Sequence, residues 1–113
     1  MNGHFRFRSL GSGSTGNATL VEAVNGAGKA WRLLVDAGFT LKKFEQRLAS
    51  ATALAPDALT GIFITHEHGD HASGVGRLSR RYNIPVWLTV GTYHAMRDIR
   101  FAQTHYINVH QSL

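Results

Sequence analysis

Thr65-His66-Glu67-His68-Gly69-Asp70-His71 is a dense run of imidazole and carboxylate side chains near the middle of the chain. From His66 to His71 it packs three histidines and an aspartate into six positions, a density that no packing role requires. Imidazole and carboxylate are the ligand set of Zn²⁺ and similar divalent ions. The spacing argues against display on a helix: neighbours on a helical face lie three or four apart, so His66 and His68 would diverge. In an extended stretch, residues two apart point the same way. Gly69 then permits a sharp turn that swings Asp70 and His71 toward a second metal position. The competing reading is a polar loop that happens to be rich in histidine.

Outward from the motif, Ile62-Phe63-Ile64 is a short apolar run after Gly61, which predicts a strand buried on both faces. The histidines thus fall in a loop at a strand end, where rigid scaffolds display catalytic groups. Downstream, a helix is predicted from about Ser73 to Tyr82, with Val75, Leu78 and Tyr82 inward and Arg77, Arg80 and Arg81 outward. Those arginines read either as a solvated face or as contacts to a nucleic-acid backbone. Pro85 to Thr89 reads as a strand, Thr92 to Ile99 as a weak helix, and His105 to Val109 as a final strand. Upstream, Thr40 caps a helix to about Ala49 whose inward stripe is Leu41, Phe44 and Leu48. Trp31 to Val35 reads as a buried strand ending at Asp36-Ala37-Gly38. Phe5 to Leu10 alternates with period two, and Ala18 to Val24 returns beside it as a hairpin. Glycine-rich turns separate these strands at Gly11 to Asn17 and Asn25 to Lys29. Strands lead and then alternate with helices, the pattern of an α/β layered fold.

A chain of 113 residues is one small domain or part of one. It has no cysteine, so disulfides and thiolate ligands are excluded, which fits a reducing compartment. Phe5 and Phe7 alternate with Arg6 and Arg8, unlike the continuous apolar core of a signal peptide, and no apolar run is long enough to cross a membrane. The expectation is a cytoplasmic protein without membrane contact. The net charge of +5 and pI near 10.3 favour a polyanionic partner such as nucleic acid, or mark ordinary solvated faces.

His66-Glu67-His68-Gly69-Asp70-His71 resembles the His-x-His-x-Asp-His signature of the metallo-β-lactamase-fold hydrolases, and Asp36 matches the aspartate that precedes that signature. The resemblance implies an α/β fold, the N-terminal half of an αββα sandwich carrying one or two divalent ions, Zn²⁺ or Mn²⁺. By it, His66 and His68 would bind the first ion, and Asp70 and His71 the second. Asp70 would also orient the attacking water as the catalytic residue, and Asp36 would hold the histidine loop by hydrogen bonding. Ser9 to Asn17, Leu34 to Gly38, Gly74-Val75 and Gly91-Thr92, in that order, further resemble the YycJ/WalJ-type subgroup. That similarity implies a cytoplasmic metal-dependent exonuclease acting on DNA from the 5′ end. For Gly11 to Asn17 two readings stand: a cradle in which Ser12, Ser14 and Asn17 hold the substrate phosphate, or a plain hairpin turn.

The superfamily completes its site with a further histidine, a bridging aspartate and a final histidine from later segments, and this chain ends at Leu113 before them. Residues 1–113 are therefore expected to form a single partial domain. Its exposed sheet face would favour self-association, for instance as a dimer. The leading expectation is metal-assisted hydrolysis of a phosphodiester in DNA. The alternatives are a catalytically incomplete fragment that binds metal or nucleic acid, and a hydrolase of a small thioester, lactam or lactone. His4, His94 and His105 are expected at or near the surface. His110 belongs to no ligand motif of the family.

Overall fold

The computed structural model describes residues 3–13 and 16–108. Strands β1 (His4–Gly11), β2 (Ala18–Val24), β3 (Ala30–Val35), β4 (Gly61–Phe63), β5 (Pro85–Leu88) and β6 (Gln103–Tyr106) form one sheet whose spatial order is the chain order. β1 to β3 run as an antiparallel meander, and β3 to β6 are parallel. The parallel crossovers carry α1 (Leu41–Ala51), α2 (Gly69–Ala72), α3 (Val75–Tyr82) and α4 (Val90–Ala95). Parallel crossovers are almost always right-handed, so crossovers that always advance in one direction stack their helices on one face.

Local chemistry sets the helix limits. The Thr40 side chain accepts from the Lys43 amide at the start of α1, and Phe44 and Leu48 bury one face of it. α3 stops at Asn83, which turns left-handed with φ 55°, and Arg80 and Arg81 lie in its last turn beside the free carbonyls. Tyr82 of α3 donates to the Glu45 carboxylate of α1, joining the two helices. That bond holds the Tyr82 hydroxyl above its ordinary pKa range.

The two faces of the sheet differ. Leu20, Leu34, Ile62, Val86 and Leu88 are buried beneath the helices with Phe44, Leu48, Val75 and Leu78. On the opposite face, cross-strand register aligns Phe7 with Val21 and Leu33, and Val35 with Phe63, Trp87 and His105. These residues are half-buried or exposed, and Phe5 and Phe7 reach 71% and 73% exposure.

The expectation of strands buried on both faces is therefore corrected. Ile62 and Ile64 are buried but Phe63 is not, and in β3 only Leu34 is buried while Trp31 is exposed. Helices cover one side only, so alternate residues remain open. The helix expected from Ser73 begins earlier, at Gly69, and breaks at Ser73-Gly74 before resuming at Val75. A Cβ at Gly74 would lie 1.8 Å from the Phe39 carbonyl oxygen, so the chain passes there only as bare backbone. Gly69 stays outside the left-handed region; the redirection after His68 is made by the start of α2. α4 begins before its expected start because Thr89 caps it, accepting from the Thr92 amide. A short 3-10 turn at Pro56–Ala58, not foreseen, leads into β4.

Candidate metal centre

β3 and β4 are parallel and in register, Val35 beside Phe63, so the residues that follow them emerge together at one edge of the sheet. Such carboxyl ends are where open α/β sheets gather their ligands. Asp36 leaves β3 with φ 65°, a left-handed conformation that costs a non-glycine residue about 1 kcal/mol. Its buried side chain, 6% exposed, recovers that cost through three hydrogen bonds. Oδ1 accepts from the Thr65 amide at 2.8 Å, and Oδ2 accepts from Thr65 Oγ1 at 2.7 Å. Oδ2 also meets His71 Nδ1 at 2.7 Å. The aspartate thus ties the β3 end to the histidine loop and to α2.

His71 is fixed at both ends. Its carbonyl accepts from the Ala37 amide at 2.8 Å, and its Nδ1 faces the Asp36 carboxylate. A carboxylate only accepts, so neutral His71 carries its proton on Nδ1 and its lone pair on Nε2. That Nε2 lies 3.5 Å from Asp70 Oδ2. Two ligands of one tetrahedral ion at bond lengths of 2.0–2.2 Å stand about 3.4 Å apart, so this pair has metal-ligand spacing. The His66 ring lies 3.8 Å from His71 and 5.1 Å from His68, centroid to centroid, the latter edge-on. His66 Nδ1 meets Thr65 Oγ1 at 2.8 Å. Among the described residues, no group of three or more histidine or acidic side chains is arranged to hold an ion as it stands. The donor set, imidazoles with one nitrogen engaged and a partly exposed carboxylate, nonetheless fits a divalent cation.

The glycine loop joins the site through Asn17. Its backbone amide donates to the Asp70 carbonyl at 2.6 Å. Its side-chain Nδ2 reaches the Asp70 carbonyl at 3.0 Å, Asp70 Oδ2 at 3.1 Å and the Gly13 carbonyl at 2.9 Å. Its Oδ1 accepts from the Gly13 amide at 3.0 Å. Both ends of the Asn17 amide are thus engaged, and the residue bears on the orientation of Asp70. Gly38 lets the two segments meet, since a Cβ there would fall 2.0 Å from the Asp70 carbonyl oxygen. Ser12 is exposed on the same loop, while Ser14 lies outside the described residues, as does His110. His4 and His94 are exposed and His105 is half-buried against Trp87, as expected from the sequence. Thr65 and the Asn17–Asp70 tie were not foreseen; the threonine's place immediately before the first histidine was the available signal.

Beside the histidine loop lies a cleft of about 460 Å³, lined by Glu67, Gly69, Ser73, Met96, Arg97 and Asp98. Its Asp98 wall is fixed by Arg80, whose two guanidinium nitrogens reach the carboxylate at 2.7 and 3.0 Å. That hydrogen bonding holds the Asp98 carboxyl below the ordinary carboxylate range and raises Arg80. No described helix is long and apolar enough to cross a membrane.

With this geometry, the chain can be set beside known proteins. It is 38% identical over 97 residues to exodeoxyribonuclease WalJ of Streptococcus pneumoniae, covering 86% of this chain and 34% of that protein. It is 41% identical over 93 residues to exodeoxyribonuclease YycJ of Bacillus anthracis, covering 82% of this chain and 33% of that protein. The chain therefore spans about a third of the length of the curated relatives it matches. Among solved structures, a subclass B3 metallo-beta-lactamase from a soil metagenome library superposes with a TM-score of 0.66 at 18% identity, over 90% of this chain and 43% of that one. A chemotaxis sensor ODP described as a peroxy diiron species gives the same TM-score and identity, over 91% and 40%. These likenesses carry the fold alone. The metallo-beta-lactamase superfamily model matches residues 11–105, and with this span and the aspartate-braced histidine loop the chain belongs to that superfamily.

Proposed function

We propose that residues 1–113 are a single partial domain of a metal-dependent hydrolase that cleaves phosphodiesters in DNA, exonuclease-like from the 5′ end. The observation that carries the reading is the Asp70–His71 pair, set at metal-ligand spacing with the outer nitrogen of His71 bonded to Asp36. The names of the exodeoxyribonuclease relatives and the net charge of +5 support DNA as the substrate class.

In this reading His66 and His68 hold one divalent ion, and Asp70 with His71 holds another, Zn²⁺ or Mn²⁺. Such an ion, when bound, supplies a water of lowered pKa and polarises the phosphate under attack. Asp70 orients the nucleophile while Asn17 keeps its carboxylate turned toward His71. Ser12 of the glycine loop binds the substrate phosphate, and Ser14, on its place in the sequence alone, is assigned the same role. Asp36 fixes the tautomer of His71, and the cleft beside Glu67 and Gly69 admits the nucleic-acid strand. Self-association covers the open sheet face carrying Phe5, Phe7 and Trp31, and the cytoplasm is the compartment.

A second reading is favoured by the absence, among the described residues, of any three-ligand group. It is a metal-binding portion whose site is finished by residues outside this chain. The test loads the purified chain with Mn²⁺ or Zn²⁺ and follows 5′-labelled DNA beside a His68→Ala control. Metal-dependent cleavage lost in the control supports the nuclease. Metal binding without cleavage in either protein overturns it for this chain and leaves the second reading.

A further inference from the structure

We infer that Thr65 is a positioning residue that locks His66 in its metal-ready tautomer by relaying the charge of Asp36. The inference rests on the proposed metal-binding role of His66, and it follows from where hydrogens must lie. Thr65 Oγ1 stands 2.7 Å from Asp36 Oδ2 and 2.8 Å from His66 Nδ1. The hydroxyl has one proton to give and two lone pairs. Asp36 Oδ2 has only lone pairs, so the hydroxyl proton must lie between the two oxygens; otherwise two bare acceptors would face each other at that distance. Thr65 Oγ1 can then only accept from His66. The proton of neutral His66 is therefore on Nδ1, and the lone pair is on Nε2.

The same carboxylate oxygen sets His71 directly, at 2.7 Å. One buried aspartate thus orders two histidines, one by contact and one through a hydroxyl. The relay is needed because a free imidazole in water prefers its proton on Nε2, which would block the ligand nitrogen. The aspartate's remaining oxygen is taken by the Thr65 amide at 2.8 Å, and His66 meets the threonine hydroxyl instead. The backbone of Thr65 anchors the loop, and its side chain carries the orientation outward. A valine at this position keeps the shape and the amide bond but removes the relay. A serine restores it.

The experiment uses the ¹⁵N-labelled chain, metal-free, at a pH where the histidines are neutral. Long-range ¹H–¹⁵N correlation reads the tautomer of each ring, and competition with a chromophoric chelator reads Zn²⁺ affinity. Wild type should show His66 and His71 both protonated on Nδ1. Thr65→Val should shift His66 toward the Nε2–H form, leave His71 unchanged as an internal control, and weaken Zn²⁺ about 10–100-fold, the usual cost of losing an outer partner of a ligand. Thr65→Ser should keep the wild-type tautomers and bind within about 3-fold of wild type, because the hydroxyl is retained. Wild-type His66 protonated on Nε2 overturns the relay outright, whatever the variants do. So does Thr65→Val with unchanged tautomer and affinity, or Thr65→Ser failing as badly as Thr65→Val while both keep dispersed amide spectra. Wild type that binds no Zn²⁺ defeats the metal-binding reading instead, and the tautomers then judge the relay by themselves.

Discussion

Asp36 and Asp70 sit in the same cluster in opposite environments. Asp36 has a side chain 6% exposed, is strained in its backbone, and is engaged by three hydrogen bonds from two segments. Asp70 has a side chain 32% exposed, lies in the first turn of a four-residue helix, and turns one oxygen to His71 Nε2 across 3.5 Å. The first carboxylate is enclosed so that it can organise others. The second is left with unused lone pairs facing solvent and a histidine, the condition for taking a cation. Burial and hydrogen bonding thus separate a carboxylate engaged by its neighbours from one left open to a ligand, although both are aspartates beside histidines, and the proposed roles follow that division.

The sharpest way to break the comparison is Asp36→Asn. The amide nitrogen replaces an acceptor with a donor facing Thr65 Oγ1 and His71 Nδ1. Both histidines are then driven to the wrong tautomer, the fault that makes Asp-to-Asn changes severe where a carboxylate orients an imidazole. Zn²⁺ affinity measured by chelator competition should fall about 100-fold or more, at the upper end for outer-shell losses. Denaturant unfolding should show a loss of about 1–3 kcal/mol from mispaired buried groups. Wild-type Zn²⁺ affinity in this variant would mean that Asp36 only packs.

Asp70→Ala should act the other way round. Its exposure predicts a stability change of about 1 kcal/mol or less. The metal stoichiometry, read by calorimetry on the folded chain, should drop by one ion. A stability loss well above 1 kcal/mol with no change in stoichiometry would reverse the assigned roles of the two carboxylates.

Much of this was legible in the sequence, for identifiable reasons. The His66–His68 spacing announced a loop at a strand end, and the ends of β3 and β4 deliver Asp36 and His66 to one edge, but Asp70 and His71 fall in the helix α2 and not in an extended stretch. The Thr40 cap and the Phe44–Leu48 stripe follow local rules that tertiary context did not override. What failed was nonlocal. Composition does not distinguish a strand covered on one face from one covered on both, so Phe63 and Trp31 were misassigned. The break at Gly74 depends on a close approach by Phe39, thirty-five residues away in sequence. The Asn17 tie to Asp70 spans fifty-three residues and leaves no periodic trace.

That tie sharpens the comparison at a finer scale. Asn17→Ala removes the side-chain bonds to Asp70 but keeps the backbone bond to its carbonyl. Stability should fall by about 1 kcal/mol, the usual net worth of a lost hydrogen bond. Zn²⁺ affinity should fall about 10-fold, the low end for outer-shell losses, because Asp70 is loosened and not removed. A larger affinity loss than in Asp70→Ala would show that the loop acts on the ligands by another route.

Asp98 supplies the smallest effect and the control for pairing without burial. Like Asp36 it accepts from several donors, but its side chain is 35% exposed and its partner Arg80 equally so. The hydrogen bond from Arg80 is the main cause that lowers the Asp98 pKa on folding. A group depressed in the folded state contributes its full stability above its unfolded pKa and loses it as pH falls through the lower folded value. Thermal unfolding of Asp98→Asn should therefore fall slightly below wild type at neutral pH and converge with it in acid, beneath the ordinary carboxylate range. Solvent screens the pair, so added salt should narrow the same gap. A gap that persists in acid and in salt would mean that Asp98 acts by shape against its neighbours, and that exposure alone does not divide the carboxylates of this fold.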